Sequence, residues 1–403
     1  MLTGKHIALY VSGGIAVYKA ATLVRTLIKR GAEVRVALTQ GATAFVTPLT
    51  FQTLSKHDVY TDRFKQFDAE HVAHIDLADW SDLAIVAPAT ADVIGKMANG
   101  ITDDFVTTAL LATTAPKFVA PAMNNHMLAS AAVQRNLKQL QADGVTLIDP
   151  ETGFLAEGYE GKGRLPEPET IADFVEVALL QQAPNLPFAG KQFVITAGGT
   201  QEKIDPVRYI TNKSSGKMGY ALAVAARDLG AKVTLITASD LPNPFGMTVV
   251  QAPSAEEMAQ QVFDRFQASD VVIMAAAISD YRPVQPATEK IKKQAGHQEL
   301  VLTLTETPDI LAQLGQTKQH QLVIGFAAET QHLLDNAAQK LARKQADMLI
   351  ANDVAAANVG FDYDTNAVTI LRPQEAPLKL PLASKTVIAQ QIMEIIRQMR
   401  FNA

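Results

Sequence analysis

Short runs of continuous apolar residues alternate along this chain with stretches in which apolar positions recur every three or four residues. Ile7–Val11 (IALYV) is the first such run, broken by Ser12-Gly13-Gly14-Ile15-Ala16. Ala20, Leu23, Val24 and Leu27 then keep helical spacing to about Arg30, where Gly31 stops the helix and Val34–Leu38 starts a second strand. This order predicts a right-handed parallel βαβ unit. Leu83–Ala87, Lys117–Ala120 and Val145–Ile148 read as further buried strands. Helices are predicted over Val93–Gly100, from Asn124 to about Ala142, and over Ile171–Gln181. Residues 57–80 are polar and hold His57, His71 and His74, while 150–168 is glycine-rich and reads as a loop. Pro184–Pro187 reads as a linker.

The same grammar restarts beyond the linker. Gln192–Thr196 is a short apolar strand that turns on Gly198 and Gly199. A polar excursion through Asp205, Arg208, Asn212 and Lys213 leads to a helix predicted from Ser214–Ser215, with Gly216 and Gly219 in its first turns. Leu300–Leu304, Val323–Ala327, Met348–Ala351 and Val368–Leu371 read as strands. Pro308-Asp309-Ile310-Leu311 reads as a helix start with Asp309 near its second position, and Leu333–Gln345 and Lys385–Met399 are helices. Arg30-Gly31-Ala32-Glu33-Val34 is echoed by Leu229-Gly230-Ala231-Lys232-Val233, and Ser81–Ala87 by Ser269–Ala275. Shared α/β grammar is enough to produce such echoes, so they predict two doubly wound α/β domains, 1–183 and 190–403, without proving duplication.

Composition agrees and narrows the function. The 403 residues are 48% hydrophobic and 19% charged, enough for two cores. A net charge of −5 gives no basic field for nucleic acid. No cysteine is present, which excludes disulfides, thiolate metal sites and a thiol nucleophile. The N-terminal residues lack a basic region followed by an apolar run and a cleavage site. No apolar stretch approaches the roughly 18 residues of a membrane span. The expectation is a cytoplasmic protein without membrane or nucleic-acid partners.

Candidate chemistry sits in the turns. Ser12-Gly13-Gly14 after a strand suits a phosphate, or is simply a tight turn. The second strand ends in Leu38-Thr39-Gln40, without the acidic residue of an NAD site. The Gly198–Gly219 stretch fits neither G-x-G-x-x-G nor the P-loop. His74 in a polar segment, and Asn124 after a strand, have structural readings as a surface histidine and a helix cap. Lys290, Lys292 and Lys293 form one cationic run, and Lys340 and Lys344 lie one helical turn apart near strand ends. Solvated charge is the plain reading of both; with Asp280 they would also suit a nucleoside triphosphate and Mg²⁺.

Taken together, these motifs resemble, end to end, the bifunctional phosphopantothenoylcysteine decarboxylase / phosphopantothenate–cysteine ligase family of coenzyme A biosynthesis. In the first half the resemblance rests on SGGIA (Ser12–Ala16), His74, APATAD (Ala87–Asp92), PAMN (Pro121–Asn124) and GYEGKGRL (Gly158–Leu165). In the second half it rests on the stretch from Ile195 to Gly219, AAAISDYRP (Ala275–Pro283), EKIKK, PDIL, GFAAET (Gly325–Thr330) and AND (Ala351–Asp353). It implies two Rossmann-like domains: an N-terminal flavodoxin-like flavoprotein domain and a C-terminal nucleotide-binding ligase domain. It also implies FMN near Ser12, Gly13, Gly14, Ile15, Thr39, Pro88, Ala89, Thr90, Asp92 and Met123. His74 would be the base and Asn124 the holder of the departing carboxylate.

The ligase half would bind CTP through Ala275, Ala276, Ala277, Asp280, Lys290, Pro308, Asp309, Ile310, Leu311, Phe326, Lys340 and Lys344. Mg²⁺ or Mn²⁺ would sit near Asp280, Lys290 would assist attack of 4′-phosphopantothenate on CTP, and Asn212 would act as cysteine's amine attacks the acyl-cytidylate. The resulting phosphopantothenoylcysteine would be the decarboxylase substrate. The resemblance further implies homo-oligomers, with trimeric flavin domains whose FMN sites lie at subunit contacts and dimeric ligase domains, up to a dodecamer.

One position departs from the family. Its mobile loop usually carries Ala-Cys-Gly, where this chain has Ala156-Glu157-Gly158. Either Glu157 supplies the final proton, or the flavin half is impaired or regulatory beside an active ligase. A nicotinamide-dependent oxidoreductase is the rival enzyme class, disfavoured by the missing acidic residue and the interrupted glycine motif.

Overall fold

The computed structural model describes residues 2–62, 64, 72–292, 299–329, 333–353 and 363–400. His71, Lys293 and Thr330, named above, lie outside them. The chain divides into two compact units, Met1–Leu179 and Leu180–Ala403.

In the first unit β1 (His6–Val11), β2 (Glu33–Leu38), β3 (Val59–Tyr60), β4 (Leu83–Ala89), β5 (Lys117–Pro121) and β6 (Thr146–Leu147) form a parallel sheet. Its order is β3-β2-β1-β4-β5-β6, the Rossmann order; without the two-residue edge strand β3 it is the flavodoxin-like one. Both faces are covered, so the strands read as continuous apolar runs. Ile7, Leu9 and Val11 pack on one face with helices Val17–Lys29 and Pro168–Gln182. Ala8 and Tyr10 pack on the other, with helices Ala73–Trp80 and Phe105–Ala112.

Two expectations need correction here. The segment read as a loop contains an antiparallel hairpin, β7 (Glu151–Phe154) with β8 (Glu160–Arg164). The sequence EGKGR has no apolar alternation, so periodicity could not show it. The helix expected from Asn124 to Ala142 is two, Asn125–Ala129 and Ala131–Ala142, because Ser130 is extended and caps the second.

The second unit holds β9 (Gln192–Ala197), the hairpin β10 (Gln201–Lys203) and β11 (Tyr209–Thr211), then β12 (Lys232–Thr237), β13 (Thr248–Gln251) and β14 (Val271–Met274). β15 (Tyr281–Pro283) pairs with β16 (Leu304–Glu306), so the strand expected at Leu300–Leu304 starts only at its last residue. β17 (Leu322–Glu329), β18 (Met348–Asp353), β19 (Thr365–Leu371) and β20 (Leu378–Ser384) complete an eight-stranded sheet ordered β13-β12-β9-β14-β17-β18-β19-β20. The strands from β13 to β18 run parallel, and β19 and β20 are antiparallel.

The polar excursion is thus a small hairpin. Asp205 is buried in its turn, and the Arg208 guanidinium, with the N–H groups of Val207, Ile291 and Arg208, holds its carboxyl far below the usual range. The following helix is Lys217–Asp228; Gly216 is its N-cap rather than a residue of its first turn.

The echo between the halves has a physical cause. Asp82 accepts from the His6 N–H at 2.8 Å, and Asp270 accepts from the Gln192 N–H at 2.8 Å. Each aspartate thereby closes the first N–H of a central strand, while Ser81 and Ser269 bond back to the helix before them.

Candidate functional site

In a doubly wound sheet the crevice opens where the chain reverses its direction of winding, at the carboxyl ends of the two strands flanking that point. In the first unit those strands are β1 and β4. A cavity of about 450 Å³ lies there, lined by Gly13, Gly14 and Ile15 after β1, Pro88 and Thr90 at β4, and Ala122, Met123, Asn124 and Met127 beyond β5. The hairpin β7–β8 closes it with Phe154, Leu155, Glu157 and Arg164.

Helix Val17–Lys29 starts at this cavity with no side-chain cap and no acidic residue in its first turn. Its positive dipole end therefore faces the cavity with no side chain to offset it, which suits a phosphate, although the Val17 and Lys19 N–H groups donate to the Gly14 and Ala16 carbonyls at 3.0 Å each. Gly13 meets Gly41 so closely that a Cβ would stand 2.5 Å from a backbone carbon, so this turn tolerates no side chain. Ile15, Met123, Met127 and Phe154 give the cavity the apolar walls a flat aromatic cofactor needs.

Four expected cofactor residues lie outside the cavity lining. Ser12 is buried, donating to the Pro88 carbonyl and accepting from the Thr90 N–H at 2.8 Å each, which ties the two turns together. Thr39 caps a short helix through the Ala42 N–H. Ala89 is buried in β4, and Asp92 pairs with Lys96 at 3.1 Å.

The hairpin meets Asn124 directly. The Asn124 Oδ1 accepts from the His126 N–H at 2.8 Å, which fixes the amide so that its Nδ2 points to the hairpin. Nδ2 donates to Glu157 Oε1 at 2.9 Å and to the Tyr159 hydroxyl at 2.7 Å, and that hydroxyl donates to Asn125 Oδ1 at 3.1 Å. Gly163 makes this approach possible. It has φ +147, its carbonyl accepts from the Met123 N–H at 3.1 Å, and a Cβ there would lie 2.0 Å from the Met123 oxygen.

Behind the hairpin, buried Lys19 donates to the Leu165 carbonyl at 2.8 Å and to Glu167 at 2.9 Å. The hydrogen bond from Lys19, aided by Arg164, holds the Glu167 carboxyl below its ordinary range despite some loss of water around it.

His74 is not brought to this cavity within one chain. It lies on helix Ala73–Trp80, on the sheet face opposite helix Val17–Lys29. Its ring meets the Phe105 ring edge-on at 6.5 Å, and its Nδ1 is buried without a partner among the described residues.

In the second unit the reversal lies between β9 and β14. The cavity there, about 400 Å³, is lined by Asn212–Gly219, Ala275, Ala276, Ala277, Ile278, Asp280, Phe326, Lys340, Asn352, Asn366 and Lys385. Asn212 Nδ2 donates to the Ile278 carbonyl at 3.0 Å, holding the two linings together. Lys213, Lys217, Lys340 and Lys385 outnumber Asp280 in the lining and make this cavity cationic, although Asp364 holds Lys217 at 2.6 Å. Among the described residues no group of three or more His, Asp or Glu could hold a metal, so a cation here would rest on Asp280 with ligand phosphates and water.

Lys290 is exposed and lies outside this lining, and Pro308–Leu311 and Lys344 lie outside it too. Asp309 caps helix Ile310–Thr317 and pairs with Lys344, while Ile310 and Leu311 are core. Burial would raise the Asp309 carboxyl, but Lys344 and the Ala312 N–H hold it below normal.

Comparison with known proteins bears on both cavities. Residues 1–180 match the family described as Flavoprotein, and 188–399 the family described as DNA/pantothenate metabolism flavoprotein C-terminal domain. The "Coenzyme A biosynthesis bifunctional protein CoaBC" of Bacillus subtilis is 50% identical over 98% of this chain and 97% of its own length. The chain belongs to this bifunctional coenzyme A biosynthesis family. The relative of the same name from Escherichia coli K12 is 43% identical over 98% of the chain and 97% of its own length. A crystal structure described as the C-terminal domain of CoaBC is 42% identical, covering 53% of this chain and 98% of that one, with a TM-score of 0.46.

For this family member, sequence reasoning missed Lys217, Asn366 and Lys385 as cavity residues. They come from three elements that only the sheet order brings together. Lys385 carried one usable signal, a lysine opening an amphipathic helix, whose buried position has to be compensated.

Proposed function

We infer that this chain performs two successive steps of coenzyme A biosynthesis: CTP-driven ligation of 4′-phosphopantothenate with cysteine, then FMN-dependent decarboxylation of phosphopantothenoylcysteine to 4′-phosphopantetheine. The observation that carries the reading is the presence, in one chain, of two switch-point cavities of opposite chemistry. One is apolar with an uncapped helix N-terminus, and the other is lined by four lysines. Relatives named bifunctional match both halves, which supports two active domains over an impaired or regulatory flavin half.

Gly13, Gly14, Ile15, Met123 and Met127 would hold FMN, which would supply reversible hydride transfer when bound. Asn124 would hold the substrate carboxylate, and Glu157 would supply the proton that replaces CO₂. His74 would serve as base from a neighbouring copy, because it lies on the far sheet face of its own chain. This supports the expectation of oligomers with FMN sites at subunit contacts. Ser12 and Thr39 would shape the phosphate turn beside the cofactor.

In the ligase half, Lys340 with Lys213, Lys217 and Lys385 would neutralise the triphosphate, and Asp280 would share Mg²⁺ with it. Asn212 would orient the acyl-cytidylate for cysteine. Lys290, Lys344 and Pro308–Leu311 would remain candidate nucleotide contacts outside this lining. The test separates the halves. Purified protein should carry a bound flavin spectrum, and should release pyrophosphate from CTP only when 4′-phosphopantothenate is present. Release independent of that acid would overturn the ligase reading.

A further inference from the structure

A glutamate in place of the loop cysteine creates a problem that a thiol does not have. A free carboxyl with an ordinary pKa near 4.3 is ionised at neutral pH and has no proton to give. Yet decarboxylation consumes one: the carboxylate leaves as CO₂, and the carbon that held it gains a proton. The hydride removed from the substrate in the oxidation returns to it, so that proton is the net requirement of the turnover.

We propose that the substrate's own carboxylate loads Glu157 with this proton. The inference rests on Glu157 being the donor. Asn124 has two amide hydrogens, and in this structure they go to Glu157 Oε1 and the Tyr159 hydroxyl. The amide cannot turn away, because its oxygen caps the His126 N–H. A substrate carboxylate held by Asn124 must therefore share Nδ2 with Glu157 or take its place, and two carboxylates compete for one donor.

Among the described residues, no cation lining the cavity is left to neutralise the second charge. Lys19 and Arg164 line the cavity, but both are held by Glu167, at 2.9 and 2.5 Å. The remaining charged groups on the facing elements are Glu151 on β7, Glu160 and the exposed Lys162 on β8, and His126 on helix Asn125–Ala129, none of which lines the cavity, and Glu157 forms no ion pair among the described residues. Two carboxylates in contact do not both stay ionised once the bound substrate excludes water from between them. Glu157 takes the proton from solvent as the substrate seats.

The timing follows from the same geometry. When the carboxylate leaves as CO₂, the competing charge vanishes and Asn124 again stabilises an ionised Glu157. The glutamate then releases its proton to the carbon beside it, which has just lost the carboxylate. The hairpin holds donor and carbon at one amide, so no separate proton relay is required.

Proton uptake on binding is the direct test. The FMN-loaded protein would be titrated calorimetrically at neutral pH, in two buffers of different ionisation heat. One ligand is the analogue of phosphopantothenoylcysteine with a hydroxyl for the thiol, and the other is the same compound lacking the carboxylate. About one proton should be taken up per bound carboxylate analogue and none with its partner. Glu157→Gln should bind the carboxylate analogue without uptake. No uptake by the unaltered protein, or undiminished uptake by Glu157→Gln, overturns the loading. If Glu157→Gln accumulates the enethiol while the unaltered protein shows no uptake, the donor role stands and only the loading falls. If Glu157→Gln forms the saturated product at full rate, the donor role itself falls.

Discussion

Gly163→Ala puts the hairpin's closure to a quantitative test. At φ +147 an alanine is strained, and its Cβ would lie 2.0 Å from the Met123 oxygen, so β8 must move away from the Met123–Asn125 segment. The hydrogen bond from the Met123 N–H to the Gly163 carbonyl goes with it. Strained backbone costs ~1–3 kcal/mol and a lost backbone hydrogen bond ~0.5–1.5 kcal/mol, so closure weakens by roughly 2–4 kcal/mol. At about 1.4 kcal/mol per factor of ten, the closing equilibrium constant falls by about 30- to 1,000-fold. CO₂ release should lose kcat/KM by up to that factor, while pyrophosphate release from CTP, which uses the other unit, stays unchanged. Gly158→Ala is the control. Its φ is +91, but nothing lies within 4 Å of its Cβ, so only the strain remains and the loss should be smaller. Normal decarboxylation by Gly163→Ala would show that the hairpin does not need this contact and refute the reasoning.

Other substitutions probe separate parts of the account. His74→Asn should abolish CO₂ release with FMN still bound, and a near-normal rate would remove His74 from the mechanism. Asn212→Asp would set a carboxylate against the Ile278 carbonyl, at a cost of ~1–3 kcal/mol. It should still release pyrophosphate but stall before the amide, whereas normal amide synthesis contradicts the role. Lys19→Met should loosen the hairpin and speed FMN loss, measured by flavin fluorescence on dilution.

That clasp also carries a pH signature. Glu167 is depressed in the folded protein, so its contribution is complete above the ordinary carboxyl value of 4.5 and is lost as pH falls through the lower folded value. Acid-induced FMN release should follow this course in the unaltered protein and be shallower in Lys19→Met. Identical profiles would exclude the clasp.

Much of the fold was legible because the central strands of both sheets are parallel and covered on two sides, which writes them as unbroken apolar runs such as Ile7–Val11 and Val271–Met274. Val59–Tyr60 and Gln201–Lys203 were not legible, being two and three residues long and held by backbone pairing. Asn124 and Glu157 were each readable as candidates, and their union through one amide was not, since the hairpin joining them has no apolar pattern. His74 was readable as a histidine but not as one on the far face, which depends on the path of its helix. Lys344 shows the opposite limit: its spacing from Lys340 suggested a cationic face, while the fold commits it to Asp309.

The most direct measurement is product analysis by mass spectrometry after the purified protein receives 4′-phosphopantothenate, cysteine, CTP and Mg²⁺. Formation of 4′-phosphopantetheine with CMP is the predicted result, and it requires both cavities to work in one chain with Glu157 in the cysteine's place. Accumulation of phosphopantothenoylcysteine or of the enethiol would contradict it, leaving a ligase joined to a flavin domain that cannot finish its reaction.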